Sequence, residues 1–307
     1  DRSASLQIQA AGWVVGLGMA SSVSRKEGDG QGLGHCRPSR RRGWGNIICS
    51  MDINVLTLNV GNTRLAVGAF VAGELSGVER VSLEDRAGWT RAIEAGWAKI
   101  AGREGAAIAG ASVNPQGMEI IEHVISETLR QPVEWVGRNL DLPIKVLTQH
   151  PNETGVDRVL NVAAAFEQLQ RAVVVIDAGT AITVDLCNDR GEFLGGAIAP
   201  GVAMQLDALH ERTARLPRVE FDVPPAPYGR STAEAINHGV YHGVRGMVKE
   251  LIENYATELG YWPEVIATGG DAKTLFEGWE LINGISQDLT MYGIALAYAE
   301  HHIKHGT

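Results

Sequence analysis

The sequence predicts an α/β protein made of two related halves, each a mixed, mainly parallel sheet with flanking helices. Three observations carry this. Short apolar runs rich in Val and Ile alternate with segments whose apolar residues recur at helical spacing. The stretch Leu58–Thr63, LNVGNT, is answered 118 residues later by Ile176–Ala181, IDAGTA, an internal repeat at domain spacing. Turns that combine Gly with Asn, Asp or Thr stand directly after apolar runs at Asn59–Thr63, Asp177–Ala181 and Thr268–Ala272.

The first half opens with a strand at Val55–Leu58, the turn Asn59–Thr63 and a strand at Leu65–Phe70, with a third strand over Val78–Leu83. Asp85–Gly102 reads as a helix through Trp89, Ile93, Trp97 and Ile100. A buried strand over Ala106–Val113, a helix over Met118–Leu129 and a short strand at Val133–Val136 follow. Leu140–Pro151 reads as an irregular connection, because Pro143 and Pro151 interrupt it. Gly155–Arg158 then opens a helix with Val159, Val162, Ala163 and Phe166 on one side.

The second half repeats the hairpin grammar: Val173–Ile176, the turn Asp177–Ala181, Ile182–Leu186, the turn Asn188–Gly191 and Phe193–Ala199. Val202–Ala214 is helical and Leu216–Tyr228 is a Pro-rich extended loop. Ser231 and Glu234 form the pattern of a capping box for a helix running to about Leu259, in which Gly239 and Gly243 suggest close packing. A strand at Glu264–Thr268 and a helix at Leu289–His302 complete the chain.

Hydrophobic residues make up 45% and charged residues 21% of 307, ordinary values for a globular protein. The net charge of −9 disfavours nucleic acid as a partner, and no run of 18 apolar residues predicts a membrane span. Cys36, Cys49 and Cys187 offer neither an even disulfide framework nor a CxxC pair, so a reducing cytoplasm is expected. Residues 1–50 differ from the rest: Gly, Ser and Arg dominate, with seven Lys/Arg against three Asp/Glu. They are expected to be a disordered or upstream extension, since Met51 stands just before the first strand. The apolar run Ala10–Ala20 makes a poor targeting segment, because Arg2 is balanced by Asp1. The organisation is therefore 1–50 extension, 51–160 first half and 161–307 second half.

The three Gly turns carry the chemistry. Such loops present backbone N–H groups and hydroxyls to phosphate oxygens. GxxxxGK[ST] and GxGxxG are both absent, so neither a P-loop nor a Rossmann site is expected. Asp157 could accept the proton of a primary hydroxyl, or serve only as an acid favoured at a helix N-terminus. Arg158 suits a carboxylate ligand or a surface ion pair. Asp177 suits a cation, or a turn residue bonded to its own backbone. Thr63 and Thr180 have hydroxyls fit for phosphate, or are ordinary strand-end threonines. Thr232 is the first helical residue after its cap. His301, His302 and His305 are read as solvated rather than metal-binding.

LNVGNTRLAVGAF, GVDRVLNVAAAF, VVVIDAGTAITVDLCNDRGEFLGGAIAPG, STAEAINHGV and VIATGGDA together resemble the type III pantothenate kinase family, within the acetate kinase–sugar kinase–Hsp70–actin superfamily. The resemblance runs from about Ile53 to Tyr298. It implies two RNase H-like, actin-like ATPase halves. It also implies transfer of phosphate from ATP to pantothenate, the first step of coenzyme A synthesis, with Mg²⁺ and a monovalent cation, K⁺ or NH₄⁺. By this resemblance Asn59, Val60, Gly61, Asn62, Thr63, Arg64, Leu65 and Ala66 form the first phosphate loop, and Thr180 in the second loop contacts ATP. Asp177 binds the monovalent cation and Gly269-Gly270 belongs to the adenosine loop. Gly155, Val156, Asp157 and Arg158 hold pantothenate, with Asp157 as the base, and Thr232 contacts the substrate. A homodimer with the pocket completed across the interface is implied as well.

Asn59 departs from the family pattern, which has Asp at that position. The amide keeps an acceptor oxygen but removes the charge that helps hold a dication. Three readings follow: a pantothenate kinase, a catalytically weakened or inactive member acting as a nucleotide-binding regulatory protein, and a kinase for another small hydroxy acid.

Overall fold

A computed structural model describes residues 52–306. The expectation for residues 1–50 lies outside the described residues. Among the described residues no helix is long and apolar enough to cross a membrane.

The first sheet is built from β1 (Val55–Val60), β2 (Arg64–Val71), β3 (Glu74–Ser82), β4 (Ala107–Ser112) and β5 (Glu134–Trp135), in the order β3-β2-β1-β4-β5. The β1–β2–β3 meander is antiparallel, while β4 and β5 add in parallel. The second sheet contains β6 (Lys145–Val146), β7 (Val173–Ala178), β8 (Ala181–Cys187), β9 (Glu192–Pro200), β10 (Glu264–Thr268) and β11 (Gly284–Ile285). Its order is β11-β10-β7-β8-β9-β6. Again a hairpin meander, β7–β8–β9, is antiparallel, and β10 adds in parallel beside its first strand. The repeat seen in the sequence is thus a repeat of sheet grammar.

The helices fill three layers. On the outer face of the first sheet lie α1 (Arg86–Trp97) and α2 (Pro115–Thr128), packed through Trp89, Ile93, Ile121 and Ile125. On the outer face of the second lie α4 (Val202–Glu211), α5 (Thr232–Leu259) and the short α6 (Ala272–Phe276). Between the sheets run α3 (Val156–Leu169) and α7 (Leu289–His305). Leu160 of α3 and Ile294 of α7 pack against β1 and β4, and Val159 and Val162 of α3 against β7 and β9. The sequence division at 160/161 falls inside α3.

The helix ends follow local chemistry. Asp85 caps α1 by accepting from Gly88 N–H, and Asn114 caps α2 from Gly117 N–H, each at 2.9 Å. Because Asn114 caps and Pro115 suits the first helical position, α2 starts earlier than the periodicity predicts. Conversely α1 stops at Trp97 and α4 at Glu211, short of the predicted ends, with turns beyond them. Ser231 Oγ accepts from Glu234 N–H at 3.2 Å as expected of a capping box. The Glu234 carboxylate, however, takes the N–H of Arg230 at 2.6 Å rather than that of Ser231. The segment read as irregular, Leu140–Pro151, contributes the edge strand β6, which pairs in parallel with β9. Two residues of pairing leave no periodic signal, and the same is true of β11.

Gly239 and Gly243 do not serve close packing within the chain, since a Cβ at either would meet nothing within 4 Å. Gly293 does. A Cβ there would lie 2.4 Å from the Leu160 carbonyl oxygen, so α7 approaches the α3 backbone only without a side chain. Gly246 on α5 is exposed and open. Gly246→Ala should therefore stabilise the protein by about 0.5–1 kcal/mol through helix propensity. Gly293→Ala, the same chemical change, should destabilise it by about 1–3 kcal/mol through overpacking. Urea unfolding of the two variants checks the opposite signs.

Candidate active site

The two hairpin turns are alike but not identical. Val60 pairs with Leu65 in one, Ala178 with Ile182 in the other. The first turn therefore spans residues 61–64 and the second only 179–181. In each, the glycine N–H donates back across the turn: Gly61 to Arg64 O and Gly179 to Ala181 O, both at 3.0 Å. The missing residue corresponds to Asn62, and it brings Thr180 into the place opposite Thr63. The two Oγ1 atoms are 3.2 Å apart. The third loop joins them. Gly269, at φ +95°, lies where a Cβ would come within 2.5 Å of Asp177 Oδ1, and Asp271 N–H donates to Ala178 O at 2.9 Å. Burial raises the pKa of Asp271, and the Arg64 guanidinium works against that rise. All three Gly loops singled out in the sequence thus meet.

Within the first loop, Val60 and Leu65 turn their side chains into the core, so only their backbone faces the cleft. Asn62, Thr63 and Arg64 are exposed, and Asn59 and Ala66 are half-buried. The other wall of the cleft is the N-terminal end of α3, capped by Gly155. Asp157 and Asn161 are one turn apart and share a face. Asn161 Nδ2 donates to Asp177 Oδ2 at 3.0 Å, and Thr290 Oγ1 donates to Asn161 Oδ1 at 2.7 Å, which fixes the amide's orientation. Asp177 is thus held by another helix, not by its own turn.

Arg158 is neither solvated nor free. Its Nε donates to Asp185 Oδ1 at 3.0 Å and to Oδ2 at 3.2 Å, and its guanidinium carbon lies 5.7 Å from the centroid of the Phe193 ring. Thr183 Oγ1 donates to the same carboxylate at 2.9 Å. Asp157 Oδ1 accepts the Arg158 backbone N–H at 2.8 Å.

Electrostatically the cleft is short of positive charge. Asp157, Asp177 and Asp185 lie within electrostatic reach of one another, and the Arg158 guanidinium acts on Asp157 and Asp185. Burial raises the pKa of all three, against the local hydrogen bonds and, for Asp157 and Asp185, against Arg158. Asp177 is pushed up to about 7, by burial first and by the Asp157 charge second. A set of carboxylates in this condition fits a bound cation.

Thr232 stands apart. It is exposed at the start of α5 and lines a groove of about 950 Å³ between α4 and α5, with Pro200, Met204 and Leu216. The groove begins close to the second loop, since Gly201 N–H donates to Thr180 O at 3.1 Å.

The sequence reading missed Asn161, Thr183, Asp185 and Thr290. Two of the signals were present. Asn161 lies four residues after Asp157 in the midst of the apolar run Val159–Ala165, and Thr183 and Asp185 share one face of an apolar strand. Asp185 is 1% exposed. Since burial outweighs Arg158 at this carboxylate, the pair is held by the fold more than it holds it. Asp185→Ala alone should cost about 3–5 kcal/mol by leaving the guanidinium uncompensated, whereas Arg158→Met with Asp185→Leu should cost less than the two single changes combined. Denaturant unfolding of the four-protein cycle measures this.

With this geometry the chain can be set beside known proteins. A family model described as type III pantothenate kinase matches residues 55–254. The type III pantothenate kinase of Anaeromyxobacter sp. (strain Fw109-5) is 33% identical over 249 residues, covering 80% of this chain and 98% of the relative. That of Parafrankia sp. (strain EAN1pec) is 35% identical over 251 residues, with the same coverage. Among solved structures, a conserved Baf family protein from Campylobacter jejuni superposes with a TM-score of 0.53 at 18% identity, over 80% of this chain and 98% of that one; this likeness concerns the fold. The matched span takes in both hairpin turns, α3 and most of α5, and on that extent of agreement the chain belongs to the type III pantothenate kinase family.

Proposed function

We propose that the protein phosphorylates pantothenate at the expense of ATP to give 4'-phosphopantothenate, the opening step of coenzyme A synthesis. The observation that carries this reading is the meeting of three Gly loops at the end of α3, where Asp157 stands beside Asp177. The loops offer Gly and Thr backbone and two facing hydroxyls to phosphate oxygens. The primary hydroxyl of the substrate is the nucleophile and Asp157 is the base. Its raised pKa makes it a better proton acceptor than an exposed aspartate. Gly155, Val156 and Arg158 line the same wall, and the guanidinium, anchored by Asp185, turns what remains of its donor edge to the substrate carboxylate.

Asp177, oriented by Asn161, is the ligand for a monovalent cation, which when bound supplies positive charge beside the triphosphate. Asn59 would offer the Mg²⁺ that accompanies ATP a neutral oxygen in place of a carboxylate. Thr232 and the α4–α5 groove support a pantothenate pocket completed by a second copy of the chain. A cytoplasmic location fits a kinase of this metabolic step.

Purified protein with ATP, Mg²⁺, K⁺ and pantothenate should yield phosphopantothenate. Asp157→Asn should lower kcat by about 10²–10⁴-fold with little change in the KM for ATP. Asn59 favours a second reading, a weakened member that binds nucleotide for regulation. Absence of turnover in the parent together with its appearance in Asn59→Asp would support that reading. Turnover of another hydroxy acid but not pantothenate would point to a different kinase.

The cation role has a readout independent of turnover. A carboxyl whose folded pKa lies above its unfolded value holds its proton better in the folded state. Its stabilising contribution is therefore present below about pH 4 and is lost as pH rises through about 7. Without small cations, the melting temperature should fall between about pH 5 and about pH 8. K⁺ should restore it at the upper end and not at the lower, while tetramethylammonium should do neither. Asp177→Asn should remove the K⁺ effect; K⁺ stabilisation surviving in that variant would sink the assignment.

A further inference from the structure

Far along α7 from Thr290, its last turns meet the segment between β5 and β6. His301 and His305 are one turn apart on α7, their ring centroids 4.4 Å apart. Asp141 Oδ2 lies 3.5 Å from His301 Nδ1 and 3.5 Å from His305 Nε2. The three ligand atoms are all within 4.8 Å of one another. In a tetrahedron with metal–ligand bonds of about 2.0–2.1 Å, neighbouring ligand atoms are separated by about 3.3–3.4 Å. Both carboxylate–imidazole edges are already close to that length. The Asp141 backbone N–H donates to His301 Nδ1 at 3.3 Å; an ion at that nitrogen would take over the lone pair that this long bond now uses.

We propose that Asp141, His301 and His305 form a binding site for a transition-metal dication of the Zn²⁺ class. Two imidazoles and one carboxylate select such ions over Mg²⁺, Ca²⁺ and K⁺, and a fourth position remains for water. The site is distinct from the phosphate-loop cleft and does not depend on the function proposed for it. Lys304 marks the charge the site is built for. Its Nζ stands 3.3 Å from the same Asp141 oxygen, on a side chain that is 70% exposed and free to swing aside. Lys304 is therefore the competitor of the ion. A cavity of about 290 Å³ lined by Asp141, Leu142, Pro143, Glu300, His301 and Lys304 gives access. The ion would join residue 141 to residue 305 and so fasten the end of α7 to the segment after β5. In the sequence these histidines read as solvated, and Asp141, which faces His301 and His305, stands 160 residues before His301.

The test is titration of the full chain with Co²⁺ in buffer containing excess Mg²⁺ and K⁺, followed by displacement with Zn²⁺. One Co²⁺ per chain with the visible bands of a tetrahedral centre, bleached by Zn²⁺, is expected. Asp141→Asn and His305→Gln should each weaken binding by about tenfold or more, since even outer partners of a metal site carry that much. Lys304→Gln should tighten it by about fivefold by removing a competing charge. All three positions are on the surface, and unchanged circular dichroism verifies folding. Absence of one-to-one binding would overturn the proposal. So would Co²⁺ affinity indifferent to Asp141→Asn, which would indicate adventitious histidine binding only, or weakened binding in Lys304→Gln.

Discussion

Helix α3 has to satisfy two sheets at once, and the cleft follows from that constraint. A helix buried on one side needs an apolar stripe; one enclosed on two sides must be apolar nearly all round and slender enough for both sheets to approach. Val159 through Ala165 are all buried, and three of those seven residues are alanine. The one polar residue among them, Asn161, is accepted because both ends of its amide are bonded, to Asp177 and to Thr290. Helix α7 meets the same demand with Gly293. The N-terminal turn of α3 is where the enclosure ends, and Asp157 and Arg158 emerge there.

The charge pattern of the site is a consequence of this enclosure. Carboxylates near the end of a buried helix cannot be solvated fully, and a single guanidinium cannot neutralise three of them. Hydrogen bonds from Asn161, Thr183 and the Arg158 backbone moderate the burial without cancelling it. The site is therefore prepared for positive charge brought from outside, an arrangement suited to polyanionic nucleotides that arrive with metal ions.

Much of this was legible in the sequence where the signal was local. The hairpins, the cap at Ser231 and the strand Glu264–Thr268 follow from apolar runs and turn chemistry over a few residues. The repeat at Asn59 and Asp177 points to paired loops from its letters alone. What was not legible was set by distance along the chain. Arg158 suggested a carboxylate ligand or a surface ion pair, and its buried partner Asp185 could not be named because it is 27 residues away. For Asp177 a cation ligand and a self-bonded turn residue both stayed open, because its partner Asn161 sits on another element. The one-residue difference between the turns was hidden because LNVGNT and IDAGTA align by letter, whereas strand register decides which threonine faces which. The edge strands β6 and β11 are two residues long and owe their existence to a neighbour.

The contact between Thr63 and Thr180 bears on how the protein breathes. It is a hydrogen bond between two neutral, exposed hydroxyls, and such bonds are worth about 1 kcal/mol net against water. That amounts to about a fivefold preference for the latched arrangement, comparable to thermal noise. A latch of this strength sets the resting separation of the two turns without guarding it, so that a phosphate can part them and replace one bond with several.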